Sequence, residues 1–294
     1  MKISIHLSIF IILLFCNCKQ SGGQHTINTK EDVFNDETNI VQRSLLINKE
    51  GGNIISRFTP PQEFFRKRLD PNSFQFFLSH YKLLAIDTKV HLYNGVLKSI
   101  QSAHAAVLDL DTGNKDLQQC ADAIMRLRCD YLYESEKYDD IVFNFTNGFP
   151  FEYQKWREGR KVTVKGNKVK WTKKSTPQTK YNDYRNYLNK LFMYAGTLSL
   201  SQELYAISLE SLSIGNVFIK GGSPGHAVIV MDCAIDNNND KVFLLAQSYM
   251  PAQQMHILKN PNNFALSPWY KLSEINTFIQ TPEWRFNKNQ LMSF

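Results

Sequence analysis

Three residues have the types that amide-bond hydrolysis needs: Cys120, His226 and Gln247. A cysteine nucleophile works as a thiolate. A helix N-terminus favours that form, because unpaired backbone N–H groups and the macrodipole stabilise negative charge there. A neighbouring imidazole can take the thiol proton. Its second ring nitrogen then needs a group that holds its tautomer and aim. Each residue alone has a plainer reading: a buried Cys is commonly a small core residue, and a strand-end His or Gln is commonly structural. Their joint placement favours the chemistry. The Cys sits at a predicted helix start, the His at the start of a later strand, and the amide on the strand after that.

Gly215 to Gln247 must position two of the three. It reads as strand GNVFI, a Gly/Pro turn (KGGSPG), strand HAVIVMDCA, an Asn/Asp loop and strand KVFLLAQ. Short Val/Ile/Phe-rich runs bounded by turn residues signal buried strands. Asp232 shares the parity of His226 but lies roughly 20 Å along the strand, too far to orient it. If Ala234 and Lys241 flank the loop, Gln247 falls opposite Val228, on the face of His226, and His226 sits near Tyr249. A one-residue slip would put Gln247 on the other face, so His256 stays open as the alternative orienting group.

The helix that must carry the nucleophile is DLQQCADAIMRLRCDYLYES. Asp116 with Gln119 fits a capping box. Leu117, Cys120, Ala121, Ile124, Leu127, Tyr131 and Leu132 form an apolar stripe. With Asp116 as N-cap, Cys120 falls in the first turn or just beyond it. Gln119 or nearby backbone N–H groups are candidate oxyanion donors. The Cys120 sulfur should then lie within roughly 4 Å of a His226 ring nitrogen, loose for an unloaded site.

The chain has 294 residues, 43% of them hydrophobic, enough to bury a sizeable core. Lys2 and the apolar run Ile3 to Phe15 read as an export signal, too short to span a membrane. It ends at Cys16-Asn17-Cys18, and a polar tether follows. That pattern resembles a bacterial lipoprotein signal, with Cys18 the favoured lipidation site and Cys16 the alternative. The expected organisation is a signal at 1–18, a linker at 19–44 and one α+β domain at 45–294. The chain is expected at the cell envelope, anchored to the membrane by its N-terminal lipid. Cys120, Cys129 and Cys233 remain after the signal, an odd number that leaves at least one thiol unpaired. No CxxC, His-rich tract or HExxH spacing occurs, so no metal or cofactor is expected.

The net charge of +7 is uneven. Residues 155–180 hold ten basic residues against one acid, Glu158. Within them KVTVKGNKVKWT alternates apolar and charged around Gly166-Asn167, a hairpin with one wet face. It could dock an anionic envelope polymer, peptidoglycan among them, or lipid headgroups; equally, its lysines could guard an edge against aggregation. Export argues against nucleic acid. Helices are also expected over Phe74 to Ile86, Tyr181 to Gly196, Ser201 to Tyr205 and Leu272 to Ile279.

A strand leading through a turn to a Gly-His strand resembles the NlpC-type cell-wall cysteine peptidases of the papain-like superfamily. That resemblance implies a nucleophile-bearing helix packed on an antiparallel sheet, with N-terminal and insertion elements added. It assigns Cys120 as nucleophile, His226 as base and Gln247 as the third group. Asn216 stands where that family usually has Asp, and Cys120 lies in QQCADA where it has Asp-Cys-Ser/Gly. A second resemblance rests on VHLYNG, DLDTGNKDLQQCADAIMRLR, FNFTNGF, YAGTLSLS, GGSPGHAVIVMD, FLLAQSYMPAQ, HILKNP and SPWY. These are similar to a Bacteroidetes-type lipoprotein family known as domain of unknown function family 4846, which implies location more than reaction. The expected function is an envelope Cys-His amide hydrolase acting on a cell-wall peptide. The alternative is a non-catalytic binding or structural lipoprotein of the same fold.

Overall fold

A computed structural model describes residues 45–173 and 175–294. The expected signal, Cys16, Cys18 and the linker lie outside them. The chain divides into two units, Met1–Glu37 and Thr38–Phe294, of which only the second contains described residues.

The described residues form six α-helices and fourteen strands. In order they are α1 (Ile54–Arg57), α2 (Phe74–Ser79), β1 (His104–Val107), α3 (Cys120–Glu134), β2 (Val142–Asn144), β3 (Pro150–Glu152) and α4 (Tyr153–Arg157). Then come β4 (Val162–Lys165), β5 (Lys168–Trp171), α5 (Tyr181–Phe192), α6 (Thr197–Glu203), β6 (Tyr205–Ala206) and β7 (Val217–Lys220). They are followed by β8 (His226–Ile235), β9 (Lys241–Gln247), β10 (His256–Leu258), β11 (Tyr270–Lys271), β12 (Phe278–Gln280), β13 (Arg285–Asn287) and β14 (Leu291–Ser293). Among these residues no helix is long and apolar enough to cross a membrane.

The fold is α+β. One antiparallel sheet runs β1-β10-β9-β8-β7-β14-β6, with β11 also paired to β9. Its two faces feed separate cores, as alternation along a strand requires. Ala227, Ile229 and Met231 of β8 join the larger core, which also takes Ala121, Ile124 and Leu127 of α3. Val228 and Val230 join the smaller one, closed by Ile279 and Phe286. The predicted strands at 217–247 are therefore the centre of the sheet, buried on both sides.

The β8–β9 register differs from expectation, and the difference matters. Lys241 pairs with Ile235 and Val242 with Ala234, one residue out from the expected pairing. Carried on unchanged, that register would turn Gln247 away from the face of His226. A bulge between Val230 and Asp232 absorbs the extra residue, and Ile229 pairs with Ala246 beyond it. Bulges insert one unpaired residue and reset the alternation of faces. The same bulge turns Asp232 to the opposite face, where it pairs with Arg66 at 2.7 Å.

Other element boundaries also differ: the helix expected at Ser201 to Tyr205 runs Thr197–Glu203, with Tyr205 opening β6, and the one from Tyr181 ends at Phe192. The helix after Ser73 ends at Ser79, well short of Ile86. The helix expected to carry Cys120 starts at that residue, with Gln119 as N-cap. Asp116 does not cap it; its carboxylate accepts the Ala252 N–H at 2.7 Å and the Gln119 side-chain amide at 3.0 Å. The Gln119 N–H instead meets Asp122 at 3.1 Å. The expected final helix is a single turn at Leu272–Glu274. Ile279 is drawn into the smaller core by the β12–β13 hairpin, and burial in that core overrides local helix propensity.

Gly225 closes the turn into β8. A Cβ there would lie 2.3 Å from the Gly222 carbonyl and 2.4 Å from Thr197 Oγ1. Gly225→Ala should cost about 2 kcal/mol, the scale of overpacking. Gly52→Ala, which would meet nothing within 4 Å, should stay within about 0.5 kcal/mol. Urea unfolding of the two variants checks both values.

Candidate active site

Cys120 is the first residue of α3, and its side chain is buried. His226 is the first residue of β8, next to the Gly225 turn. Both line a cleft of about 490 Å³, together with Gln119, Asp122, Thr197, Tyr249 and Trp284. The cleft lies across the end of the sheet. His226 alternates with Val228 and Val230, on the face turned away from α3, and only its position at the strand end lets it meet the thiol's cleft. Among the described residues no hydrogen bond joins the Cys120 sulfur to the imidazole.

The helix start is fastened to the sheet by the loop after β9. Asp116 takes the Ala252 N–H. Ser248 Oγ lies 3.1 Å from the Gln118 carbonyl and 2.8 Å from that of Gln253. Ser248 directly follows Gln247, so one short segment carries both the imidazole's partner and the clasp on the turn before Cys120.

Gln247 is the group that meets His226. Its Oε1 lies 2.8 Å from His226 Nε2. Its amide nitrogen donates to Glu283 Oε2 at 2.7 Å. Glu283 in turn accepts from Lys98 Nζ at 2.5 Å, with both side chains nearly fully buried. A carboxylate accepts only, so the Gln247 NH2 must face Glu283 and its carbonyl must face His226. The carbonyl then requires hydrogen on Nε2, which leaves Nδ1 as the lone pair. His256, the alternative, pairs with Gln247 across β9–β10. Its Nδ1 donates to the Gln254 carbonyl at 2.9 Å, and its Nε2 lies 3.5 Å from the Gln247 amide. It stands behind Gln247 and makes no hydrogen bond to His226.

Rings enclose the imidazole: Tyr249 at 4.7 Å, Trp284 at 5.2 Å and Phe286 at 5.8 Å between centroids. The sequence placed Tyr249 there but missed Trp284, Glu283 and Lys98. Glu283 and Lys98 are 185 residues apart, and no periodicity links them. The one available signal was a charged residue beside aromatic ones in TPEWRF.

Burial dominates the acid–base properties. It pushes the Cys120 thiol up to about 11, helped by the nearby Asp122 carboxyl. The backbone N–H groups of Ala121, Ala227 and Cys120 pull the other way and lose. The expected thiolate bias of the helix end is therefore present but outweighed. Burial lowers His226 to about 4, against the Gln247 hydrogen bond that raises it. At neutral pH the thiol and the imidazole that line the cleft are both neutral. Gln119 lines the cleft, but its side-chain amide is committed to Asp116. The backbone N–H groups at the start of α3 are the freer donors for an oxyanion.

Cys120, Cys129 and Cys233 are all free. Cys129 is sealed in α3, and Cys233 lines a separate cleft with Arg66 and Asp232. Among the described residues no group of three or more His, Cys, Asp or Glu side chains comes together to hold a metal ion.

Residues 54–293, most of the chain, match the family described as Domain of unknown function (4846). The chain belongs to that family. Neither the curated proteins nor the solved structures include a match to it. The reading of the cleft therefore rests on its own geometry.

Two outcomes test that geometry. The folded pKa of His226 lies below its unfolded value, so the unfolded state binds the proton first. Stability present above about pH 6.5 should fall as pH drops toward 4, by about 3 kcal/mol for His226. Denaturation at stepped pH checks this, and His226→Gln should flatten part of the decline. Glu283→Leu should cost about 3–5 kcal/mol, because it strands a buried ammonium. Lys98→Met with Glu283→Leu should recover much of that loss, as read by the same unfolding assay.

Proposed function

We propose that the protein is a cysteine amide hydrolase of the cell envelope, papain-like in the NlpC manner, with a cell-wall peptide as its substrate class. The observation that carries this reading is one cleft lined by a helix-start cysteine and by an imidazole held in one tautomer by Gln247. The lipoprotein-like start supports an envelope location, with Cys18 the proposed lipidated residue.

His226 Nδ1 takes the proton from Cys120 as the sulfur attacks the scissile carbonyl carbon. Gln247 holds the imidazolium that forms, and Glu283 and Lys98 fix Gln247. The C–S bond forms, and the carbonyl electrons move to an oxyanion facing the N–H groups at the start of α3. The oxyanion collapses, the C–N bond breaks, and the amine leaves with the proton from His226. A water then gives its proton to Nδ1, attacks the thioester and releases the acid product and the thiol. Substrate entering the cleft displaces water and brings the reacting atoms together, which a neutral resting pair requires.

A second reading has its own support. A thiol raised to about 11, with no hydrogen bond to the imidazole, suits a non-catalytic binding lipoprotein that keeps the fold. Turnover of peptidoglycan stem peptides separates the two. The hydrolase reading expects release of a new amine by the wild-type chain and at least a ~10³-fold loss in Cys120→Ala. It also expects an acid limb near pH 4 rather than near 6.5, since His226 must be unprotonated to act. Saturable binding of the same peptides without turnover would leave the binding reading standing alone.

A further inference from the structure

The basic hairpin is independent of the chemistry in the cleft. Its four cross-strand pairs are Val162–Trp171, Thr163–Lys170, Val164–Val169 and Lys165–Lys168. Directly opposed residues point to one side of a ribbon, so the pairs sort the hairpin into two faces. Val162, Val164, Val169 and Trp171 pack on the main core. Trp171 stacks on Phe151 at 5.5 Å and 15°. The other face carries Lys161, Thr163, Lys165, Lys168 and Lys170, and all four lysines are exposed. The turn is pinned to the body, because the Asn147 side chain donates to the Asn167 carbonyl at 2.8 Å. The face is held in a fixed attitude.

Its charge is left unanswered within the fold. Among the described residues the ion pairs involve other side chains, and none of these four ammonium groups meets a carboxylate. Lys165 stands directly across from Lys168, an arrangement that destabilises a hairpin. An edge guard against aggregation needs only a charge or two, not an opposed pair of like charges at the tip. The arrangement is explained by an anionic partner that relieves the repulsion.

The form of the face selects the partner. Five well-formed clefts on the described surface are all lined by other residues. The tryptophans that could stack on sugar rings point inward: Trp156 is buried and Trp171 lies on Phe151. A polymer strand would thus find neither groove nor platform here. A wholly polar, cationic face, its apolar side chains turned to the core, suits a broad anionic surface that it touches without inserting. We propose that the Lys161–Lys165–Lys168–Lys170 face of β4–β5 docks on anionic lipid headgroups.

Vesicle sedimentation of the full chain tests this, using phosphatidylcholine alone and phosphatidylcholine mixed two to one with phosphatidylglycerol. The apolar N-terminal run is common to every variant and contributes equally to each. Wild type should prefer the anionic vesicles, and added salt should erase the preference. Replacing the four lysines by Gln should weaken anionic partitioning ~10³-fold, at roughly three quarters of a decade per lysine near a charged surface. Lys165→Gln with Lys168→Gln, which removes only the opposed pair, should lose about thirtyfold while melting at or above the wild-type temperature. Equal binding to both vesicle types, or full anionic binding by the fourfold variant, would overturn the proposal. So would tighter binding to soluble polyglutamate than to vesicles at equal charge, which points to a polymer. Aggregation of the fourfold variant, with no anionic preference in wild type, would make the face an edge guard.

Discussion

One unpaired residue in β8 governs the geometry of the cleft. The bulge between Val230 and Asp232 decides which side chains of two long strands share a face. With it, Gln247 meets His226 and Asp232 turns away to Arg66. Without it, an amide would point into the larger core and a carboxylate into the smaller one. A slip of that kind inverts a whole face of a strand, so both ends of the β8–β9 pair depend on a single insertion.

The bulge places Gln247, and a buried ion pair orients it. Lys98 holds Glu283, Glu283 takes the amide nitrogen, and the carbonyl is left for the imidazole. An ion pair with both partners nearly buried is a poor source of net stability, because desolvation offsets attraction. Its contribution here is orientation. Aromatic rings around His226 exclude water, and the same exclusion keeps the imidazole and the thiol neutral. Rigid aim and weak ionisation thus have a common origin in burial.

Much of this could be read before the fold was known. The three central strands, the helix at Cys120, the basic hairpin and the cleft lined by both Cys120 and His226 follow from local patterns of burial and turns. The position of Gln247 relative to His226 was reached through two offsetting departures, a loop that closes one residue later and a bulge that restores the register. Bulges leave no periodic trace in an almost wholly apolar strand such as HAVIVMDCA. Lys98, Glu283 and Trp284 stayed hidden for a different reason, since their roles come from contacts across the chain. The thiol's acidity was misjudged because helix-end geometry is legible in sequence, whereas the depth of burial that outweighs it is a property of the packed molecule.

The loop from Ser248 to Gln253 has a mechanical consequence. It grips the turn before Cys120 at Asp116 and at Gln118, and its first residue adjoins Gln247. The helix and the sheet, which bear the two halves of the cleft, are thus riveted at the point where they would otherwise hinge. The two jaws are thereby held at one gauge.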